Sequence, residues 1–199
     1  MIAAWQLREI PALAQRLGAR LTGSSWLTGL LGLPESYDLR FVSKHGLRVT
    51  LGLESRKIRR VSSNRVRTLY TGDITWRIKP PLEMQIILRK PRDGQSPFVD
   101  ARRAPDLPRA KALLAKHPKL VQAVEPLLRG GESAVVFESD RVVVTNLGLF
   151  KINPELQRTV LEPALESLAD LAAVFEDLER APEDEPPTPV RISLRPPSQ

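Results

Sequence analysis

The chain has 199 residues, of which 42% are hydrophobic and 5% aromatic, so aliphatic side chains must form most of its core. It contains no cysteine, which excludes a disulfide scaffold, a thiolate zinc site, an iron–sulfur cluster and a cysteine nucleophile. No stretch approaches 18 consecutive apolar residues, and the N-terminus lacks a basic region followed by an apolar one. We therefore expect no transmembrane helix, no signal peptide and a cytoplasmic location.

The formal net charge of +7 is distributed unevenly along the chain. Residues 40–120 contain twenty basic and six acidic side chains, whereas residues 121–199 contain seven basic and fourteen acidic ones. Because a local excess of one sign attracts partners of the opposite sign, an anionic partner is expected to bind the middle of the chain.

The first elements are predicted from the spacing of apolar residues. Helical spacing predicts a helix over about residues 9–21, with Pro11 in its first turn and Gly23 at its end. The following stretch, "SSWLTGLLGLPES", contains three glycines and a proline, which indicates a short helical turn or a packed loop.

From residue 37 the hydrophobic period changes from about four to two, which predicts five or six antiparallel strands up to residue 90. The His45-Gly46 pair between two alternating runs is typical of a hairpin turn. A second hairpin is expected around Ser62, Ser63 and Asn64. The stretch after residue 90 is a loop by composition.

The second half of the chain is predicted to be mainly helical. Two helices are expected over residues 107–117 and 119–129, followed by a hairpin whose turn lies near Ser139-Asp140. Asn153-Pro154 then predicts the start of a helical segment that continues to about residue 180. Pro163 is expected to kink or restart this segment, because proline has no amide hydrogen to donate.

This order of elements predicts an α+β fold, in which helices pack on one face of an antiparallel sheet of about five to eight strands. We expect one domain over residues 1–181, with a basic, sheet-rich part at 37–103 and a helical and hairpin part at 106–181. Residues 182–199 are rich in proline and are expected to form a disordered tail.

The stretch "SRKIRRVSSNRVRTLY", residues 55–70, contains six basic side chains and no acidic one. Such a stretch can bind phosphate groups, because each phosphate contact releases condensed counterions. Aromatic residues nearby could stack on bases. The leading hypothesis is therefore a non-enzymatic protein that binds DNA or RNA. The expected contact residues are Arg56, Lys57, Arg59, Arg60, Arg65, Arg67, Tyr70, Trp76, Lys79, Arg89, Lys90, Arg92, Arg102 and Arg103.

Other interpretations of the same sequence remain open. The arginines can also form the solvated face of an antiparallel sheet, in which case Tyr70 belongs to the core, because it has the same strand parity as Val66. A protein-interaction or membrane-proximal scaffold domain is a second possibility, with Trp26 and Leu30 as apolar contacts beside anionic lipid. The acidic, leucine-rich C-terminal helix could join a second copy of the chain or another protein partner.

A metal-dependent phosphodiester enzyme is the third possibility, because two carboxylates can hold Mg²⁺ beside a phosphate. The scattered acidic residues of the middle region select no pair: they are Asp73, Glu83, Asp93, Asp100 and Asp106. His45 and His117 have no carboxylate at a ligand spacing. No dinucleotide, Walker A or GxSxG motif is present, so we expect no cofactor and assign no catalytic or metal-binding residue.

Overall fold

A computed structural model describes residues 3–24, 35–59, 66–82, 85–89, 98–99, 107–128 and 133–180. These residues form an antiparallel sheet with helices, which confirms the predicted α+β fold. The strands are β1 Arg20–Ser24, β2 Ser36–Val42, β3 Arg48–Arg59, β4 Val66–Trp76, β5 Ile86–Arg89, β6 Phe98–Val99, β7 Ala134–Phe137, β8 Val142–Thr145 and β9 Leu149–Phe150. The helices are α1 Ala3–Arg16, α2 Leu107–Lys116, α3 Pro118–Val124, α4 Pro154–Leu156 and α5 Glu162–Arg180.

The sheet runs in the order β1-β2-β3-β4-β8-β7-β5-β6, and β9 pairs with β4 beside this path. Neighbouring strands are antiparallel throughout. Strands from the two halves of the chain therefore meet at β4, whose Trp76 end pairs with β8 and whose Tyr70 end pairs with β9.

The two faces of the sheet differ because side chains alternate along each strand. On β2, Tyr37, Leu39 and Phe41 are buried, whereas Asp38 and Arg40 between them are exposed. The same alternation holds on β3 and β4, where the buried face is almost entirely apolar. We call the buried face the inner face and the exposed one the outer face.

Helix α5 contributes an apolar stripe to the core under the inner face. Its residues Leu165, Leu168, Leu171 and Phe175 recur at helical spacing and are buried. The Phe175 ring stacks on Trp76 of β4 with a centroid separation of 5.8 Å. It also meets Phe137 of β7 edge to face at 6.1 Å, so one side chain joins the two halves of the sheet.

The N-terminal prediction is wrong in its boundaries. Helix α1 ends at Arg16, and Gly18 follows with a φ of 59°, a conformation that glycine adopts without a steric penalty. Pro11 therefore lies inside the helix and not in its first turn. Gly23 lies in β1, a strand that the sequence did not reveal because its Leu21 is exposed.

The predicted hairpins and helix start are confirmed. Gly46 has a φ of 79° in the turn between β2 and β3, and β7 and β8 form the hairpin predicted near Ser139-Asp140. β3 and β4 pair as antiparallel strands, but the turn expected at Ser62, Ser63 and Asn64 lies outside the described residues. The Asn153 side chain accepts a hydrogen bond from the Leu156 amide at 2.8 Å, which caps the helix start. A π-helical segment, Gln157–Leu161, lies just before Pro163, and the chain then continues as the α-helix α5. Proline has no amide hydrogen, so it cannot donate the α-helical hydrogen bond to the carbonyl four residues earlier.

Two further predictions are refined, and several lie outside the described residues. In the described residues up to residue 90, β2 to β5 are four strands and not the expected five or six, because β3 and β4 each continue through two of the predicted strands. A short strand, β6, lies in the predicted loop. The expected tail at 182–199 and the packed loop that contains Trp26 and Leu30 lie outside the described residues.

We predict that Gly72→Ala destabilises the protein by about 1–3 kcal/mol, the usual cost of overpacking a core. A Cβ atom at Gly72 would lie 2.9 Å from Cζ of Phe150, closer than two carbon atoms can approach. Urea unfolding of Gly72→Ala, Phe150→Leu and the double variant measures this effect. The double variant should lose less stability than the sum of the single changes, because the clashing ring is gone. Additive losses would contradict the clash.

Candidate nucleic-acid interface

β3 and β4 continue to pair with each other beyond the point where their other neighbours end. β2 accompanies β3 only as far as Glu54, and β9 accompanies β4 only to Tyr70. Four more pairs follow between residues 56–59 and residues 66–69. Within the described ranges, no third strand flanks these four pairs. We call residues 56–59 and 66–69 the ribbon.

The ribbon contains four of the six basic residues of the acid-free stretch. Arg56 is exposed, and Lys57 is paired with Thr68 across the ribbon. Arg59 and Arg67 occupy two further paired positions. Each of these four basic residues is paired with an uncharged one, and the ribbon contains no acidic residue. Arg60 and Arg65, in the connection between the two strands, lie outside the described residues.

The other basic residues expected at the interface do not share this location. Lys79 is exposed and follows the end of β4 opposite the ribbon. Arg89 ends β5, which is separated from β4 by β7 and β8, and it is half-buried with a bonding partner. Lys90, Arg92, Arg102 and Arg103 lie outside the described residues.

The aromatic residues expected to stack on bases are buried. Tyr70 is 1% exposed and Trp76 is 4% exposed, and the Trp76 ring is already stacked on Phe175. Both lie on the inner face, in the same parity as the buried Ile74. A stacking role for these two side chains is therefore ruled out by packing, and the alternative that placed Tyr70 in the core is correct.

The base of the ribbon is fixed by a group of polar residues. The amide of Ser55 donates to the Glu35 carbonyl at 2.7 Å, and the Glu35 amide donates back to Oγ of Ser55 at 2.8 Å. The hydroxyl of Tyr37 donates to Oε2 of Glu35 at 2.7 Å. This group was not predicted from the sequence. The sequence indicated the group only through Ser55, which is two residues from the buried Leu53 and therefore lies on the same face of β3.

Tyr70 lies opposite Ser55 in this group, and its buried hydroxyl has no hydrogen-bond partner. Burial raises the pKa of Tyr70 to about 12, and the nearby charges of Glu35 and Glu9 add to the effect. Burial also raises the pKa of Tyr37, together with its hydrogen bond to Glu35. Both phenols therefore remain neutral to higher pH in the folded protein than in the unfolded chain.

The outer face of the sheet carries charges of both signs. Its exposed charged residues on β2, β3 and β4, with the residue after β4, are Arg40, Arg48, Arg56 and Arg77 among the bases and Asp38, Glu54 and Asp73 among the acids. The two sets nearly cancel. Within β3 and β4, the basic positions are concentrated in the ribbon, which includes Arg56, whereas Arg48, Glu54 and Asp73 lie outside it.

The acidic residues of α5 are exposed apart from half-buried Glu162, and three of the exposed ones form ion pairs. Lys44, in the turn between β2 and β3, pairs with Glu166 at 2.9 Å. This contact lowers the pKa of Glu166 through a hydrogen bond and the lysine charge. Lys119 on α3 pairs with Asp177, and the third pair lies within α5. These exposed pairs are weak individually, so the buried apolar stripe of α5, and not the ion pairs, holds the helix against the core.

The described residues include no group of three or more histidine, aspartate or glutamate side chains that could hold a metal ion. His45 is exposed in the turn between β2 and β3, and His117 is half-buried just before α3. The site that the geometry favours for an anionic partner is the ribbon.

No protein-family model, no curated protein and no solved structure matches this chain significantly. Of the helices in the described ranges, none combines the length and the apolar character that crossing a membrane requires.

We predict that the free energy of unfolding falls as pH rises from 10 to about 12. An unfolded tyrosine ionises near pH 10, whereas folded Tyr70 ionises only at about pH 12. The stabilisation that results is fully present below pH 10 and is lost as pH rises through the folded pKa. Urea unfolding across this range should show a smaller fall for Tyr70→Phe than for the unaltered chain.

Tyr37→Phe provides the matched control at neutral pH. It removes a hydrogen bond to a carboxylate and should destabilise the protein by about 1.5 kcal/mol. Tyr70→Phe removes a hydroxyl that has no partner and should be neutral or slightly stabilising. Equal losses at pH 7, or the same alkaline fall in Tyr70→Phe as in the unaltered chain, would contradict this assignment.

Proposed function

We propose that this chain is a non-enzymatic nucleic-acid-binding protein whose β3–β4 ribbon contacts the phosphate backbone. The observation that carries the proposal is the location of the acid-free basic stretch. Its strand residues pair as a two-stranded ribbon beyond the third strand on either side. A ribbon of this kind offers basic positions on both of its faces, because side chains alternate along each strand.

The charge layout of the rest of the fold supports the same site. The outer face nearly balances its charges, and the acidic residues on α5 would repel phosphate. Phosphate would therefore be attracted to the ribbon and turned away from α5. Arg60 and Arg65 join the two ribbon strands in the sequence and belong to the same proposed interface.

A protein-interaction or membrane-proximal scaffold is the alternative function. The described residues that could form an apolar contact of this kind are the large exposed side chains Leu21, Val42 and Leu149, which lie on β1, β2 and β9. Binding to vesicles that contain anionic lipid, with no binding to nucleic acid, would favour this alternative.

The test compares two variants that lose the same charge. The ribbon variant is Lys57→Ala, Arg59→Ala and Arg67→Ala, and the sheet-face control is Arg40→Ala, Arg48→Ala and Arg77→Ala. Binding to labelled DNA is followed by fluorescence anisotropy during a salt titration. We expect the ribbon variant to flatten the dependence of log K on log salt by up to about 2.7 on duplex DNA, since each phosphate contact contributes about 0.9. The control should change the slope little.

Circular dichroism verifies that both variants fold. Two outcomes would refute the proposal. One is the absence of binding to DNA and RNA at low salt, where electrostatic attraction is least screened. The other is an equal loss of slope in both variants, which would mean that the ribbon has no special part in binding.

A further inference from the structure

We infer that the end of the sheet opposite the ribbon binds the surface of an anionic membrane. The inference concerns a second surface and goes beyond the proposed function. It is carried by two observations on the outer face: exposed arginines from four neighbouring strands lie side by side, and an exposed apolar side chain lies among them. We call these arginines, Arg20, Arg40, Arg48 and Arg77, the arginine row.

Strand register brings the first three arginines together. Arg20 of β1 pairs with Arg40 of β2, so the two side chains lie on the same face of the sheet. Arg48 of β3 pairs with Val42, which lies two residues beyond Arg40 and therefore on the same face. All three arginines are exposed.

The fourth arginine lies at the end of the β3–β4 hairpin. The last pair of this hairpin is Val49–Trp76, so Arg48 and Arg77, one residue further on each strand, lie beside each other. Neighbouring strands are about 4.8 Å apart, and the arginine row therefore extends about 14 Å across the sheet. Arg77 is exposed like the other three.

The charges of the arginine row are not neutralised within the described protein. Among the described residues, none of the four guanidinium groups forms an ion pair. Arg20 and Arg40 are directly opposite each other, and like charges in this position destabilise a sheet. An anionic partner that binds the row would relieve this repulsion.

Acidic residues separate the arginine row from the ribbon. On β3, Arg48 and Arg56 are eight residues apart, which corresponds to about 27 Å along the strand. The exposed carboxylates of Asp38, Glu54 and Asp73 lie between these two levels of the outer face. They would repel a phosphate backbone that extended from the ribbon, so the row is a separate surface.

Val42 favours a membrane as the partner of the arginine row. Its side chain is 61% exposed and lies between Arg40 on its own strand and Arg48 on the next. A phosphate backbone gains little from an exposed valine, whereas binding to a bilayer surface increases with buried apolar area and with attraction to anionic lipid. The long arginine side chains can keep their charged ends among the headgroups while Val42 enters the boundary with the acyl chains.

The experiment measures cosedimentation of the full chain with vesicles of equal parts phosphatidylcholine and phosphatidylserine, and with vesicles of phosphatidylcholine alone. The row variant is Arg20→Ala, Arg40→Ala and Arg48→Ala. The matched control loses the same charge at exposed residues outside the sheet, and it is Lys111→Ala, Lys151→Ala and Arg158→Ala. Circular dichroism verifies that both variants fold.

We expect the unaltered chain to bind the phosphatidylserine vesicles and to leave phosphatidylcholine vesicles unbound. The row variant should bind the phosphatidylserine vesicles between about tenfold and about a hundredfold more weakly, since each basic side chain near an anionic membrane raises the affinity by up to about fivefold. The matched control should lose much less.

Val42→Ser tests the apolar contact without a change of charge. We expect it to weaken vesicle binding by about threefold or more, because less apolar surface is buried at the bilayer, and to leave the salt dependence of binding unchanged. Unaltered affinity in this variant would contradict contact with the bilayer surface.

Three other outcomes would overturn the inference. They are no binding to phosphatidylserine vesicles at low salt, equal losses in the row variant and the matched control, and a loss of duplex DNA binding in the row variant as large as its loss of vesicle binding. The proposed function is tested separately by the ribbon variant on DNA, so either proposal can fail while the other holds.

Discussion

The pairing of β3 with β4 is the interaction on which the rest of the structure depends. Its eleven residue pairs run from Val49–Trp76 to Arg59–Val66. The first part of this hairpin supplies Leu51, Leu53 and Ile74 to the core, and the last part leaves the sheet as the ribbon. One continuous hydrogen-bonded ladder therefore provides both the centre of the fold and the proposed binding element.

The core holds this hairpin from both of its ends. Trp76 stacks on Phe175 of α5, which also contacts Phe137, so the C-terminal helix fixes the end of β4 that is distant from the ribbon. At the other end, β9 pairs with Tyr70 and places Phe150 against Gly72. The Glu35–Ser55 hydrogen bonds complete this support. The ribbon therefore continues from a base that packing and hydrogen bonds support.

Positive and negative charges lie on different elements of the fold, which the net charge alone does not show. The acidic helix forms exposed ion pairs with Lys44 and Lys119, while the outer face of the sheet is nearly balanced. The acid-free ribbon is left as the strongest positive element of β3 and β4. Electrostatic attraction of a polyanion would therefore be directional, because the positive and negative surfaces belong to different elements.

Several features followed from local sequence signals. The period of two predicted the strands of the first half, His45-Gly46 predicted a turn, and Asn153-Pro154 predicted a capped helix start. Each depends on residues that are close along the chain, so the pattern contains the necessary information. The N-terminal helix boundary was wrong because Gly18, and not Gly23, adopts the left-handed conformation that ends it. Strand β1 escaped prediction because an edge strand with an exposed Leu21 shows no clear alternation.

The sequence by itself determined the alternating strands, the acid-free basic stretch and the acidic stripe of the last helix. Only the tertiary structure decided that Tyr70 and Trp76 face the core, that Arg89 lies three strands from β4, and that no third described strand follows the ribbon. The physical reason is that strand neighbours and burial depend on contacts between residues distant in the chain. Neither β9 beside Tyr70 nor Phe175 against Trp76 can be inferred from the residues that surround them in the sequence.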